Sequence, residues 1–275
     1  MKNLINHLKE KYTVTLCILI TIVYLITVKS TKLLGSFKIN PDSYTLQLVS
    51  DCTGIIISII IMHLVGKEHV LDQKGKGMLK GFFVGGFLVC LCIIEIIFNL
   101  VEVSAFPKPV KLLPLSQIII FIVAMIGVGI AEEFLFRGIV LNLLIDKFDK
   151  TPKGIYTSIA VSSIIFGVAH ISNVFSGASF KSSFIQAVGA IALGALLAVI
   201  YLRTNNIWVT AILHGLIDFS ALIVSGFYGT NSMVKQINEY SYPNLIGYLI
   251  YLIPIFYLLR KEKLSEIVKN SLSKT

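Results

Sequence analysis

Apolar residues along this chain gather into long runs separated by short polar connections, a pattern on the length scale of a bilayer rather than of a globular core. A helix needs about 20 mostly apolar residues to cross the hydrocarbon layer. Eight stretches approach or reach that length, at roughly 13–28, 48–65, 79–101, 115–145, 155–175, 183–202, 206–226 and 243–259. The first is short unless it continues to Leu34, and the fourth is long enough to tilt or to project past the bilayer. No small-residue cleavage pattern follows the first run, which therefore reads as a retained helix and not a signal peptide. The expected fold class is all-α: a polytopic membrane helix bundle of about eight transmembrane helices, forming one integral membrane domain over residues 1–275.

Composition agrees. Hydrophobic residues make up 55% of the chain and charged residues 14%, where soluble domains carry about a quarter charged. That deficit excludes disorder, a nucleic-acid-binding tail and an ordinary water-soluble enzyme. The net charge of +9 then points to basic cytoplasmic loops rather than to nucleic acid. Counting Lys and Arg in alternate connections, with both termini on one side, gives 16 on that side and seven on the other, with Arg137 inside a helix. The imbalance places both termini in the cytoplasm, which requires an even number of spans. The basic residues need no role beyond topology and lipid headgroup contact. Cys17, Cys52, Cys90 and Cys92 all lie in apolar runs without metal-site or disulfide spacing, and read as small packing residues.

Ionisable groups at membrane depth are expensive and are functional candidates by default. Asp51 and His63, near the ends of the second run, are expected at the interface, whereas Glu95 lies mid-span without a patterned partner. The fourth run holds Glu132, Glu133 and Arg137. Glu133 and Arg137 are four apart, stack on one helical face and can neutralise each other. Glu132 is rotated by about 100°, faces another neighbour and is left for proton transfer. Gly127, Gly129 and Ala131, about a turn earlier, allow another helix to approach closely. In the fifth run Phe166 sits one turn before His170 and can wall its imidazole from lipid. In the seventh, His214 and Asp218 share a face, so the carboxylate can fix the imidazole tautomer or act beside it as a ligand. Together these carboxylates and imidazoles are the inventory for activating a water molecule.

Glu132-Glu133-x-x-x-Arg137, Phe166-x-x-x-His170 and His214-x-x-x-Asp218, in that order and each in a separate apolar helix, resemble the three motifs of the CAAX-protease and bacteriocin-processing (CPBP) family. That family comprises intramembrane endopeptidases related to the Ras-converting CAAX endopeptidase. The resemblance covers a protease-like core over residues 115–226, and Tyr201-Leu202-Arg203-Thr204 is similar to the family's approach to its third motif. The third motif ends in Asp218 where the best-known members have Asn, and the family pattern accepts either. The resemblance implies that Glu132 is the general base, assisted by His170, with His214 and Asp218 stabilising the oxyanion or holding a metal. Glu133 and Arg137 would be structural. Two mechanisms fit: a glutamate-activated water with no metal, or a divalent ion such as zinc held by His170, His214 and Asp218; no HExxH helix is present.

The implied partners are a peptide or membrane-protein substrate and the lipid bilayer, with no nucleic acid. A Lys-, Ile- and Asn-rich composition suggests a low-GC bacterium and a multi-pass protein of its cell membrane. A leader-bearing bacteriocin or a signalling peptide is then the expected substrate rather than a prenylated protein. Two other classes remain: a non-catalytic membrane protein for bacteriocin immunity or envelope regulation, and a proton-coupled transporter, for which the inverted repeat is missing. One geometric tension stands out. Measured at about 1.5 Å per residue, Glu132 lies roughly 20 Å from the presumed cytoplasmic end of its helix, His170 roughly 22 Å and His214 roughly 12 Å. They meet only if the helices tilt or the fourth and fifth project into the cytoplasm.

Overall fold

Where the helices start and stop follows from local chemistry. Thr151 accepts the Gly154 amide and Pro152 opens the helix behind it; Ser179 accepts the Ser182 amide and Asn206 the Trp208 amide, each supplying one of the acceptors that a helix N-terminus lacks. Asn205, at φ 50°, ends one helix in the left-handed conformation, and Asn206 caps the next. Two consecutive asparagines thus make a tight reversal between two membrane-length helices.

The computed structural model describes residues 2–36, 44–72, 77–106, 110–229 and 233–272. Lys38, Lys74, Lys76, Lys108 and Lys274, which entered the charge count, lie outside the described residues. Helices α1 to α5 are Lys2–Lys11, Thr13–Ser36, Tyr44–Val65, Met78–Val84 and Gly86–Ser104. Next come α6 (Leu115–Glu133), a π-helical segment (Phe134–Leu141) and α7 (Asn142–Lys147), running on as one 33-residue span. They are followed by α8 (Pro152–Ile171), α9 (Phe180–Thr204), α10 (Ile207–Tyr228), α11 (Met233–Asn238), α12 (Tyr242–Gly247), α13 (Leu252–Leu258) and α14 (Lys261–Leu272). The described residues include no strand.

Among the described residues, seven helices are long and apolar enough to cross a membrane, and Tyr242–Leu258 with Lys261–Lys269, bent by 69°, adds an eighth if the bent pair is one span. Seven to eight spans agree with the expected number, with two differences. The run at 79–101 is not one helix: it breaks at Gly85, where a Cβ would collide with Leu213, so that α4 folds onto α10 before α5 begins. The last run is interrupted by a 3-10 turn at Tyr248–Tyr251 and ends at the bend into α14. Leu264 and Ile267 of α14 are buried while Lys261, Glu262 and Glu266 are exposed, the pattern of a helix lying along an interface.

Helix α9 is the most enclosed span, with 61% of its apolar window buried, whereas α5 has 11% and stands at the periphery. Helices α6 and α10 pack antiparallel at the centre, α8 packs on α9, and α3 covers α6. Lys9 Nζ donates to the Val65 carbonyl, Lys147 Nζ to that of Glu10, and Lys67 pairs with Asp146. Together with Arg203–Glu266, these contacts gather the N-terminus, the second, fourth and sixth connections and α14 on one end of the bundle, as the alternation of basic loops requires.

Candidate functional site

The site is made where α6 and α10 cross. A Cβ on Gly129 would meet the backbone of Ala211 and lie 2.6 Å from the Gly215 nitrogen, and one on Gly215 would lie 2.7 Å from the Met125 carbonyl oxygen. Two facing glycines thus bring the backbones together, and the carboxylates one turn beyond Gly129 reach the imidazole beside Gly215. The close approach expected of the small residues before Glu132 is found here. Gly127 serves a second crossing: a Cβ there would lie 3.2 Å from Asp51 Cβ of α3.

Glu133 is fully buried and does more than pair with Arg137. Its Oε1 accepts from Arg137 Nη1 at 2.6 Å and from His214 Nδ1 at 2.9 Å. Arg137 Nη2 donates to the Gly194 carbonyl at 3.0 Å, and the guanidinium lies 4.7 Å from the centre of the Phe166 ring. Three helices contribute to this buried pair, through Glu133, the Gly194 carbonyl and His214, while Glu133 Oε2 is buried with no hydrogen-bond partner among the described residues. Because a carboxylate only accepts, His214 Nδ1 carries the hydrogen and Nε2 faces the rest of the site. There, Nε2 is 3.7 Å from Glu132 Oε2 and 3.8 Å from Asp218 Oδ2. Both oxygens are buried and lack a hydrogen-bond donor among the described residues, although the two side chains as a whole are 27% and 29% exposed.

Phe166 stands between the two imidazoles, its ring centre 4.8 Å from His170 and 5.7 Å from His214. His170 Nδ1 donates to the Phe166 carbonyl at 3.0 Å, which leaves Nε2 with the lone pair in the neutral ring. No described hydrogen bond links His170 to Glu132 or to His214. The structure thus brings Glu132, Glu133, Arg137, His214, Asp218 and Phe166 into direct contact and sets His170 on the far side of the Phe166 ring. Among the described residues, no three His, Cys, Asp or Glu side chains are grouped so as to hold a metal ion. His170, His214 and Asp218 are not assembled as a ligand set, and no step below runs through a metal.

The depth mismatch resolves through projection. A Cβ on Gly138 would touch Met62 and Ile207, so the first residue of α10 lies level with the middle of the π segment, and α7 extends beyond it. His214 therefore needs fewer residues than Glu132 to reach the same height. Asp51 departs from expectation. Helix α3 begins at Tyr44, earlier than the apolar run suggests, and Asp51 lies two turns inside it, 4% exposed and accepting from Gln47 Nε2 at 2.7 Å. His63 is exposed near the helix end, 3.9 Å from Glu68. Glu95 accepts from Ser220 Oγ at 2.6 Å, and Asn99 Nδ2 donates to the Ser220 carbonyl, which fastens α5 to α10. The second role of Glu133, the acceptor at Gly194 and the choice of Gly215 as the partner of Gly129 had no sequence signature that set them apart from ordinary membrane-helix residues.

Fold and site together define a polytopic helical membrane protein with a largely buried Glu/His centre. Residues 114–220 match the family model for type II CAAX prenyl endopeptidase Rce1-like proteins; the match covers every residue of the site and supports a protein of the CAAX-protease and bacteriocin-processing family. No curated protein and no solved structure matches the chain.

Proposed function

We propose that the chain is an intramembrane endopeptidase that hydrolyses a peptide bond with a water activated by Glu132. The observation that carries this reading is the spacing of Glu132 Oε2, Asp218 Oδ2 and His214 Nε2. At 3.7–3.8 Å from Nε2, both oxygens stand beyond direct hydrogen-bonding distance, and with no donor of their own they keep their accepting capacity for a water. Glu132, without a donor of its own, takes a proton from water as the oxygen attacks the scissile carbonyl. Nε2–H of the protonated His214 stabilises the oxyanion, while Glu133 fixes that ring through Nδ1–H and, with Arg137, balances its charge. Asp218 orients the water and the imidazole, and His170 assists at the mouth. The C–N bond breaks as Glu132 returns its proton to the leaving amine, so the base is regenerated each cycle. Both termini and the basic face lie in the cytoplasm, and the substrate is a peptide or a membrane-anchored peptide segment.

The test is cleavage of a mixed peptide library in proteoliposomes, read by mass spectrometry, with wild type, Glu132→Ala and His214→Ala. Products from wild type alone support the reading; equal products from Glu132→Ala overturn it. Dialysis against a chelator is expected to leave the rate unchanged. A rate lost on dialysis and restored by zinc would replace the mechanism with one in which His214 and Asp218 are ligands.

A further inference from the structure

Away from the site, a groove of about 390 Å³ opens between the α4–α5 elbow and the α13–α14 bend. One end is cationic: Lys80, Arg203, Arg260 and Lys263 line it, and no acidic residue does. The other end is apolar, with Phe83 and Phe87 on one wall and Tyr257 on the other. Phe83 is 79% and Tyr257 64% exposed, so large rings stand open along the groove. The cations are held in place. Arg203 Nη1 donates to Glu266 Oε2 at 2.8 Å, Lys263 Nζ to Glu266 Oε1 at 2.7 Å, and the Arg260 guanidinium lies 4.3 Å above the Tyr257 ring. Glu266, held at about pKa 2 by Lys263 and Arg203, is the one carboxylate paired to this set among the described residues, against four cations. Arg203 Nε is buried with no acceptor among the described residues. The groove also lies on the basic end of the bundle.

A positive shelf beside exposed aromatic rings, on the basic end of a bundle of membrane-length helices, matches an anionic amphiphile. We propose that this groove binds an anionic diacyl phospholipid, its phosphate on Lys80, Arg203, Arg260 and Lys263 and an acyl chain between Phe83, Phe87 and Tyr257. A zwitterionic lipid brings its own cation to the same shelf and loses the electrostatic gain.

The test uses the full-length chain in detergent micelles, scored by native mass spectrometry for retained lipid after titration with phosphatidylglycerol or phosphatidylcholine. The variants are Lys80→Gln/Arg260→Gln, both exposed and outside the catalytic site, and a control pair, Lys150→Gln/Lys153→Gln, elsewhere on the basic face. Wild type and control are expected to retain phosphatidylglycerol selectively, and the groove variant to bind it roughly 30-fold more weakly. Equal retention of the two lipids by wild type, or unchanged retention by the groove variant, overturns the proposal. Displacement by millimolar glycerophosphate also overturns it, because the site would then read phosphate alone. Thermal unfolding of the groove variant at the wild-type temperature ensures that lost binding reports the groove.

Discussion

Two adjacent carboxylates with opposite consequences give the sharpest test of the site's logic. Glu133 is 0% and Arg137 3% exposed, and one oxygen of Glu133 serves both Arg137 and His214. In Glu133→Gln the amide oxygen keeps lone pairs for both donors, while Arg137 loses its counter-charge. Removing one partner of a buried pair costs about 3–5 kcal/mol; with the acceptor kept, the lower end applies, or roughly 6–12 °C in melting temperature for a protein of this size. Glu132 has no hydrogen-bond partner to lose and is 27% exposed, so Glu132→Gln should change stability by less than about 0.5 kcal/mol and lower the hydrolytic rate by about 10²–10⁴-fold. Unfolding in detergent, followed with a thiol-reactive dye at the buried Cys17 and Cys92 after the exposed thiols are blocked, measures the first quantity, and peptide cleavage the second. Equal melting shifts for the two variants, or a larger one for Glu132→Gln, would refute this division of labour.

The helix crossing should be equally selective: Gly129→Val puts a branched side chain into the Ala211 and Gly215 backbone, which cannot yield as a side-chain tip can, and is expected to destabilise by at least about 1–3 kcal/mol and abolish cleavage. Gly86→Ala, where nothing lies within 4 Å, should leave cleavage intact; equal damage in both would dissociate the crossing from the site. Glu95→Gln keeps an acceptor for Ser220 and is expected to retain near-wild-type activity, so a loss as deep as that of Glu132→Gln would move Glu95 into the catalytic set. At the basic end, the pKa of Glu266 is depressed from 4.5 to about 2 by Lys263 and Arg203. Its contribution to docking α14 is therefore fully present above pH 4.5 and fades as pH falls towards 2. Hydrogen exchange in residues 261–269 should accelerate over that window and not between pH 5 and 7.

Most of the architecture could be read from run length, because a bilayer fixes how many apolar residues a crossing needs. Bends within runs could not: α4 and α5 form one apolar run, and only the packing of Leu213 against Gly85 separates them. The same limit applied to the site. Spacing within a helix foretold the Glu133–Arg137 pair and the shared face of His214 and Asp218, since 3.6 residues per turn decides both. The height of one helix against another is set by tertiary packing, here by Gly129 on Gly215 and by the projection of α7. That is why Glu132 and His214 looked about 8 Å apart in depth and nevertheless meet. Asp51 was misplaced for a related reason: α3 starts inside a polar stretch that its neighbours bury, so the apolar run understated the helix. The bridge from Glu133 to His214 joins residues 81 apart, beyond anything local periodicity can report.

The central claim is that Glu132 delivers a water oxygen to a peptide carbonyl. The most direct measurement is hydrolysis of a cleavable peptide in proteoliposomes made up in ¹⁸O-water, comparing wild type with a Glu132→Gln protein of matched melting temperature. The account expects wild type to place one ¹⁸O in each new carboxyl group and Glu132→Gln to do so at least about 100-fold more slowly. Labelled product formed at the same rate by both would contradict it.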